Sequence, residues 1–209
     1  MTSAEELQRV AKEVSVCTKC VLHHSRKNAV PGEGPANAEI LFIGEGPGFH
    51  ENEQGRPFVG AAGKFLEELL EKINLKRSQV FIANVVKCRP PGNRDPLPEE
   101  LAACSGYLER QIAAINPKVI VTLGRYSMAH FLPYAKISEI HGQATKVKGR
   151  LIVAMYHPAA ALHQQSLRPI IEADFARLPE LIHKANQTPE NPEPPPAEEK
   201  QEPKQLSLF

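Results

Sequence analysis

The stretch from Glu39 to Gly60 limits the possible folds more than any other part of the chain. Ile40 to Ile43 is a short apolar run of strand formers, and it stops abruptly at Gly44-Glu45-Gly46-Pro47-Gly48. A helical pattern then begins near Ala61. This is a strand that feeds a loop. Glycines at such a place let the backbone approach a ligand and present its N–H groups, while Pro47 removes one donor and stiffens the turn. By itself the loop reads only as a binding loop, because such turns serve nucleotides, phosphates and plain chain reversal alike.

The remaining segments alternate in kind. Ser3 to Val14 has the period of a helix, with Ser3 and Glu6 in capping-box spacing and Leu7, Val10, Ala11 and Val14 on one face. Val21 to Ala38 is loop-like, and Ala61 to Ile73 is amphipathic through Phe65, Leu66, Leu69, Leu70 and Ile73. A second strand spans Val80 to Val86. The proline-rich run Arg89 to Pro96 can be neither helix nor inner strand, and Pro98 suits the first turn of a helix reaching Ile115. Val119 to Leu123 is a third strand, ended by Gly124 and followed by a short helix to about Leu132. Ile137 to Val147 is ambiguous, Leu151 to Met155 is a fourth strand, and Arg168 to Lys184 is a closing helix. Strands separated by helices predict an α/β fold with a mainly parallel four-stranded sheet covered on both faces. Ligands bind such sheets beyond the carboxyl ends of the strands. Three exits carry glycine or unusual polar residues, at Gly44 to Gly48, Asn84 and His157-Pro158, and these should converge on one crevice.

At 209 residues the chain is expected to form one domain over residues 1–184, followed by a tail over 185–209. No run approaches a membrane span and the N-terminus does not read as a signal peptide, so a cytoplasmic protein is expected. The net charge of +1 announces no general affinity for nucleic acid, so any polyanion site must be a local patch. Thr188 to Lys204 is rich in proline and nearly devoid of apolar residues, which predicts disorder. The hydrophobic end Gln205-Leu206-Ser207-Leu208-Phe209 then reads as a docking peptide.

Cys17, Cys20, Cys88 and Cys104 form a C-x2-C pair followed, after a long gap, by C-x15-C. In a reducing compartment this is a metal or redox pattern, and four thiolates suit either zinc or an iron–sulfur cluster. A thioredoxin-like pair is the alternative for Cys17 and Cys20, but the expected strand before Cys17 is missing.

Taken together, Gly44-Glu45-Gly46-Pro47-Gly48, Gly55-Arg56-Pro57-Phe58-Val59-Gly60, Asn84-Val85-Val86-Lys87-Cys88-Arg89-Pro90-Pro91 and His157-Pro158 resemble the motifs of family 4 uracil-DNA glycosylases, the iron–sulfur members of that superfamily. The likeness covers residues 1 to about 184. It implies a three-layer α/β/α sandwich, a structural [4Fe–4S] cluster on the four cysteines, a monomer, and excision of uracil from DNA.

On that likeness, Phe58 stacks on the extruded base, and Asn84 donates to O4 while accepting from N3–H, a pairing that cytosine reverses. His157 lies against O2, where charge develops as the bond breaks. The N–H groups of Gly44, Glu45 and Gly46 support the base, and Glu45 orients a water or the sugar. A core phenylalanine, a turn-forming asparagine and a satisfied histidine are the plainer readings of those three side chains. A related branch carries an inserted basic loop with a histidine that becomes covalently linked to DNA. Phe49 to Arg56 shows no such insertion, so His50 is read as a loop residue. Ala159 to Pro169 should enter the minor groove, with Leu162 as the wedge and Arg168 on a phosphate. Lys87, Arg89, Arg94 and Arg125 are the further candidates for backbone contact.

The peptide Gln205 to Phe209 resembles the bacterial sliding-clamp binding motif, which implies a bacterial source and a clamp partner. Two readings compete with the enzyme. One is a non-catalytic iron–sulfur module that binds uracil or DNA, and the other is a zinc-stabilised nucleotide hydrolase.

Overall fold

The computed structural model describes residues 1–187. The tail peptide Gln205 to Phe209 therefore lies outside the described residues. In chain order the elements are α1 (Ser3–Ser15), β1 (Ile40–Gly44), α2 (Phe49–Gln54), α3 (Ala61–Lys72), β2 (Phe81–Asn84), α4 (Pro98–Ile115), β3 (Val119–Leu123), α5 (Arg125–Ala129), α6 (Ile137–Ile140), β4 (Gln143–Val147), β5 (Arg150–Met155), α7 (Pro158–His163) and α8 (Arg168–Gln187).

The sheet has five strands where the sequence led us to expect four, in the order β2-β1-β3-β5-β4. Four are parallel, and β4 runs antiparallel to β5 at one edge. The extra strand comes from the ambiguous stretch. Its Gln143, Thr145 and Lys146 are exposed, so it shows no apolar period, and it is a strand because β5 offers it a free edge. The first helix also starts differently from its predicted cap. Thr2 closes the capping box, with its Oγ1 accepting from Glu5 N at 3.2 Å and its own N–H donating to Glu5 at 2.7 Å.

Side chains alternate across the sheet and fill two cores. Phe42, Val121 and Val153 pack against Leu66, Leu69 and Leu70 of α3 and Ile171, Phe175 and Leu178 of α8. Leu41, Ile43, Ile120 and Ile152 face the other way, onto Leu108, Ile112 and Ile115 of α4. Burial on both faces explains why β1, β3 and β5 read as nearly continuous apolar runs. It also puts every strand exit of interest at one margin. The chain leaves β1 toward β2 on one side and later returns to β3 on the other, so a crevice opens between the two loops at the carboxyl end of β1.

Candidate active site

A cavity of about 460 Å³ occupies that crevice, and Glu45, Phe58, Asn84 and His157 all line it. Residues far apart in the chain thus meet where the strand exits predicted they would.

Gly44 is the close-packed corner. A Cβ there would come within 2.7 Å of Cε2 and Cζ of Phe58 and closer still to Asn84 Oδ1, so both side chains rest on bare backbone. Asn84 ends β2 and is 2% exposed. Its Oδ1 is buried without a hydrogen-bond partner. A buried amide oxygen left this way costs roughly 1–3 kcal/mol, which a ligand N–H placed against it would recover.

Phe58 has φ 50°, a left-handed conformation that is unfavourable for a bulky side chain and costs of order 1–3 kcal/mol. The surroundings hold it there. Arg77 donates to Phe58 O at 3.0 Å and also to Pro57 O. Glu51 Oε1 accepts from Val59 N at 2.8 Å and from Gly60 N at 2.9 Å, while its Oε2 accepts from Gly48 N at 3.1 Å. One carboxylate therefore joins the glycine loop to the Phe58 turn. Sequence reasoning missed both Glu51 and Arg77. The spacing Gly48-x-x-Glu51, a helix-capping distance, was the signal for the first, and the chain carries none for the second.

His157 precedes α7, and its Nδ1 accepts from Ala159 N at 3.1 Å. That bond fixes the tautomer, because a neutral ring with an accepting Nδ1 carries its proton on Nε2. Burial pushes its pKa down to about 4, against a smaller opposing pull from Glu51. The imidazole is therefore neutral at pH 7. Its plane lies 24° from that of Phe58, with ring centroids 5.5 Å apart. Glu45 has its carboxyl pKa raised, chiefly by burial, although Tyr126 N donates to Oε1 at 3.1 Å.

The proline-rich run from Arg89 is an ordered wall of the cavity. Arg94 forms a two-bond fork with Glu100, at 2.9 and 2.6 Å, and Glu100 is fully buried at the start of α4. Asp95 pairs with Arg125.

Among the residues expected to touch DNA, Leu162 is 47% exposed on α7, as a wedge requires. Arg89 is partly exposed, with its Nε on Asn93 Oδ1 at 2.7 Å and its guanidinium over the Phe49 ring. Lys87 must be withdrawn as a phosphate contact. It is 1% exposed, and its Nζ donates to Asn84 O at 2.9 Å and Gln111 Oε1 at 2.6 Å. Arg168 is already paired with Glu68 at 2.8 Å and Glu172 at 3.1 Å over the face of Phe65, so its charge is largely neutralised locally. Arg94 and Arg125 are engaged in the same manner. His50 lies on α2, not in a loop, and His163 joins the cavity wall unanticipated.

Cys17, Cys20, Cys88 and Cys104 line a second, small cavity on the α1 and α4 side. Donors are aimed at the sulfurs, with Arg26 Nη1 3.2 Å from Cys88 Sγ and Lys19 N 3.5 Å from Cys17 Sγ. Among the described residues no three His, Cys, Asp or Glu side chains are arranged to hold a single metal ion.

The family model of the uracil DNA glycosylase superfamily matches residues 31–182. A type-4 uracil-DNA glycosylase of Sulfurisphaera tokodaii is 50% identical over 189 residues, 85% of either chain. The type-4 enzyme of Archaeoglobus fulgidus is 46% identical over 88% of this chain and 97% of its own length. That of Thermotoga maritima is 44% identical over 88% of this chain and 99% of its own.

Proposed function

The chain belongs to the uracil-DNA glycosylase superfamily, and from that premise we propose how its pocket works. It is a monofunctional glycosylase that hydrolyses the N-glycosidic bond of uracil in DNA, releasing the base and leaving an abasic site. The observation that carries this reading is the partnerless, buried Oδ1 of Asn84 in the same cavity as Phe58 and His157. Uracil offers N3–H to that oxygen and O4 to the amide N–H. Cytosine presents a bare N3 and an N4 donor there, and would leave both partners unpaired.

Flipping the base costs a few kcal/mol, and stacking on Phe58 returns part of it, roughly 1–3 kcal/mol. As the C1′–N1 bond breaks, the electron pair leaves with the base and spreads to O2. The Nε2–H of neutral His157 donates where that charge develops, and the N–H groups of Gly44 to Gly46 add to it. Water adds to C1′ and gives up one proton. Glu45, whose pKa is raised by burial, orients that water and accepts the proton.

The four cysteines are read as the holders of a [4Fe–4S] cluster. Such a cube takes one thiolate per iron, so its ligands surround a volume instead of meeting at a point, and N–H donors on the sulfurs suit bound thiolates. Cys17 and Cys20 after α1, Cys88 after β2 and Cys104 on α4 would hold the cluster, and their shared ligation would tie those three segments together. The DNA-facing residues are Leu162 and Arg89. The peptide Gln205 to Phe209 docks on a sliding clamp, and its deletion should abolish clamp binding while activity on short oligonucleotides is retained.

The test is incubation with a uracil-containing oligonucleotide followed by alkaline cleavage of abasic sites, with Asn84→Ala and His157→Ala alongside. Strand breakage by the wild type and a loss of at least 100-fold in each variant is expected. An intact strand at stoichiometric protein would overturn the enzyme in favour of a binding module.

A further inference from the structure

Lys87 joins the two cavities. It lines the cysteine pocket together with Cys17, Cys20, Cys88 and Cys104. Its Nζ donates to the carbonyl of Asn84 at 2.9 Å and to Gln111 Oε1 at 2.6 Å. Gln111 is anchored in turn by its Nε2 on Pro31 O at 2.7 Å. Among the described residues no carboxylate pairs with Lys87, although it is 1% exposed. A buried ammonium held only by neutral oxygens is strongly unfavourable, so negative charge must come from somewhere nearby. The cysteine site whose cavity Lys87 lines lies close enough to supply it, and the Cys104 thiolate favours the charged form of the lysine.

We propose that Lys87 is a positioning residue whose ammonium is the buried counter-cation of the cysteine-held group and which, through the Asn84 carbonyl, sets the amide that reads uracil. This rests on the cluster and the uracil pocket proposed above. With thiolates beside it, Lys87 has reason to remain buried and to hold the end of β2. Without them the ammonium gains by moving toward water, and the Asn84 carbonyl loses its donor. A group remote from the chemistry thereby affects selectivity with no direct contact to the base.

The test uses the holoenzyme and Lys87→Met, matched for iron content. Lys87→Gln takes its place if the first does not purify with iron. Affinity for free uracil should fall about tenfold. The cluster's reduction potential should also fall by about 59 mV, the equivalent of tenfold for one electron, because a cation favours the more negative, reduced form. A purely structural lysine would not move that potential. Uracil affinity within twofold of wild type, or a potential within about 18 mV of it, the one-electron equivalent of twofold, overturns the proposal at full iron content. A wild-type protein without cluster absorbance refutes the cluster itself, and one that has the cluster but leaves uracil in DNA refutes the enzyme.

Discussion

Gly44→Ala tests whether Asn84 and Phe58 act as one reading surface. The added Cβ would stand 2.7 Å from two Phe58 ring carbons, and 3.4 Å is about the shortest ordinary contact for such an atom. The ring must therefore withdraw by about 0.7 Å, and Asn84 Oδ1, which is nearer still, by more. Gly44 does not have a positive φ, so the backbone itself accepts alanine. Overpacking of this kind costs about 1–3 kcal/mol, or a fall in Tm of roughly 2–12 °C at this chain length. Displacing recognition groups by nearly 1 Å costs on the order of 100-fold in rate. The variant should fold and yet lose about two orders of magnitude in single-turnover excision. Thermal melting and a quenched-flow oligonucleotide assay measure the two effects separately. Near-wild-type excision by a folded Gly44→Ala protein would show that the base is not read at this corner.

Three further outcomes follow from the geometry. His157 should remain neutral in ring-resolved NMR titrations from pH 8 to below 5. Because its folded pKa is depressed to about 4 from an ordinary value near 6.5, the stability linked to its neutral form is complete above the ordinary value and declines as pH falls toward 4. Excision should weaken in acid as Glu45 takes up its proton, at a pH above that of an ordinary carboxylate, and Glu45→Gln should flatten that limb of the rate profile. Arg77→Gln should free the Phe58 turn and raise KM several-fold with a smaller change in kcat. Equal losses in both would assign Arg77 a general structural role.

The sequence revealed most about the parts whose signals are local. Gly44 to Gly48, Asn84 and His157 could be placed at strand exits because β1, β2 and β5 are buried on both faces and stand out as apolar runs. Pro98 marked the start of α4 without ambiguity. β4 escaped because its side chains face water and only its backbone is committed. Lys87 was read as a surface cation since its partner Gln111 lies a helix away, and no pattern within either segment joins them. Phe58 was recognised as a ring, but not as a ring on a left-handed backbone, because that conformation is imposed by Arg77, Glu51 and the bare Gly63 beneath its carbonyl.

Both margins of the sheet are finished in ways that matter to a protein working on long polymers. At the β2 margin, Glu33 exchanges backbone hydrogen bonds with Ile82 at 2.9 and 2.8 Å. At the opposite margin a short strand bearing Gln143, Thr145 and Lys146 gives little foothold to a stray β-segment. An enzyme that must keep one end of its sheet open to a flipped nucleotide can thus do so without offering its flanks for self-association.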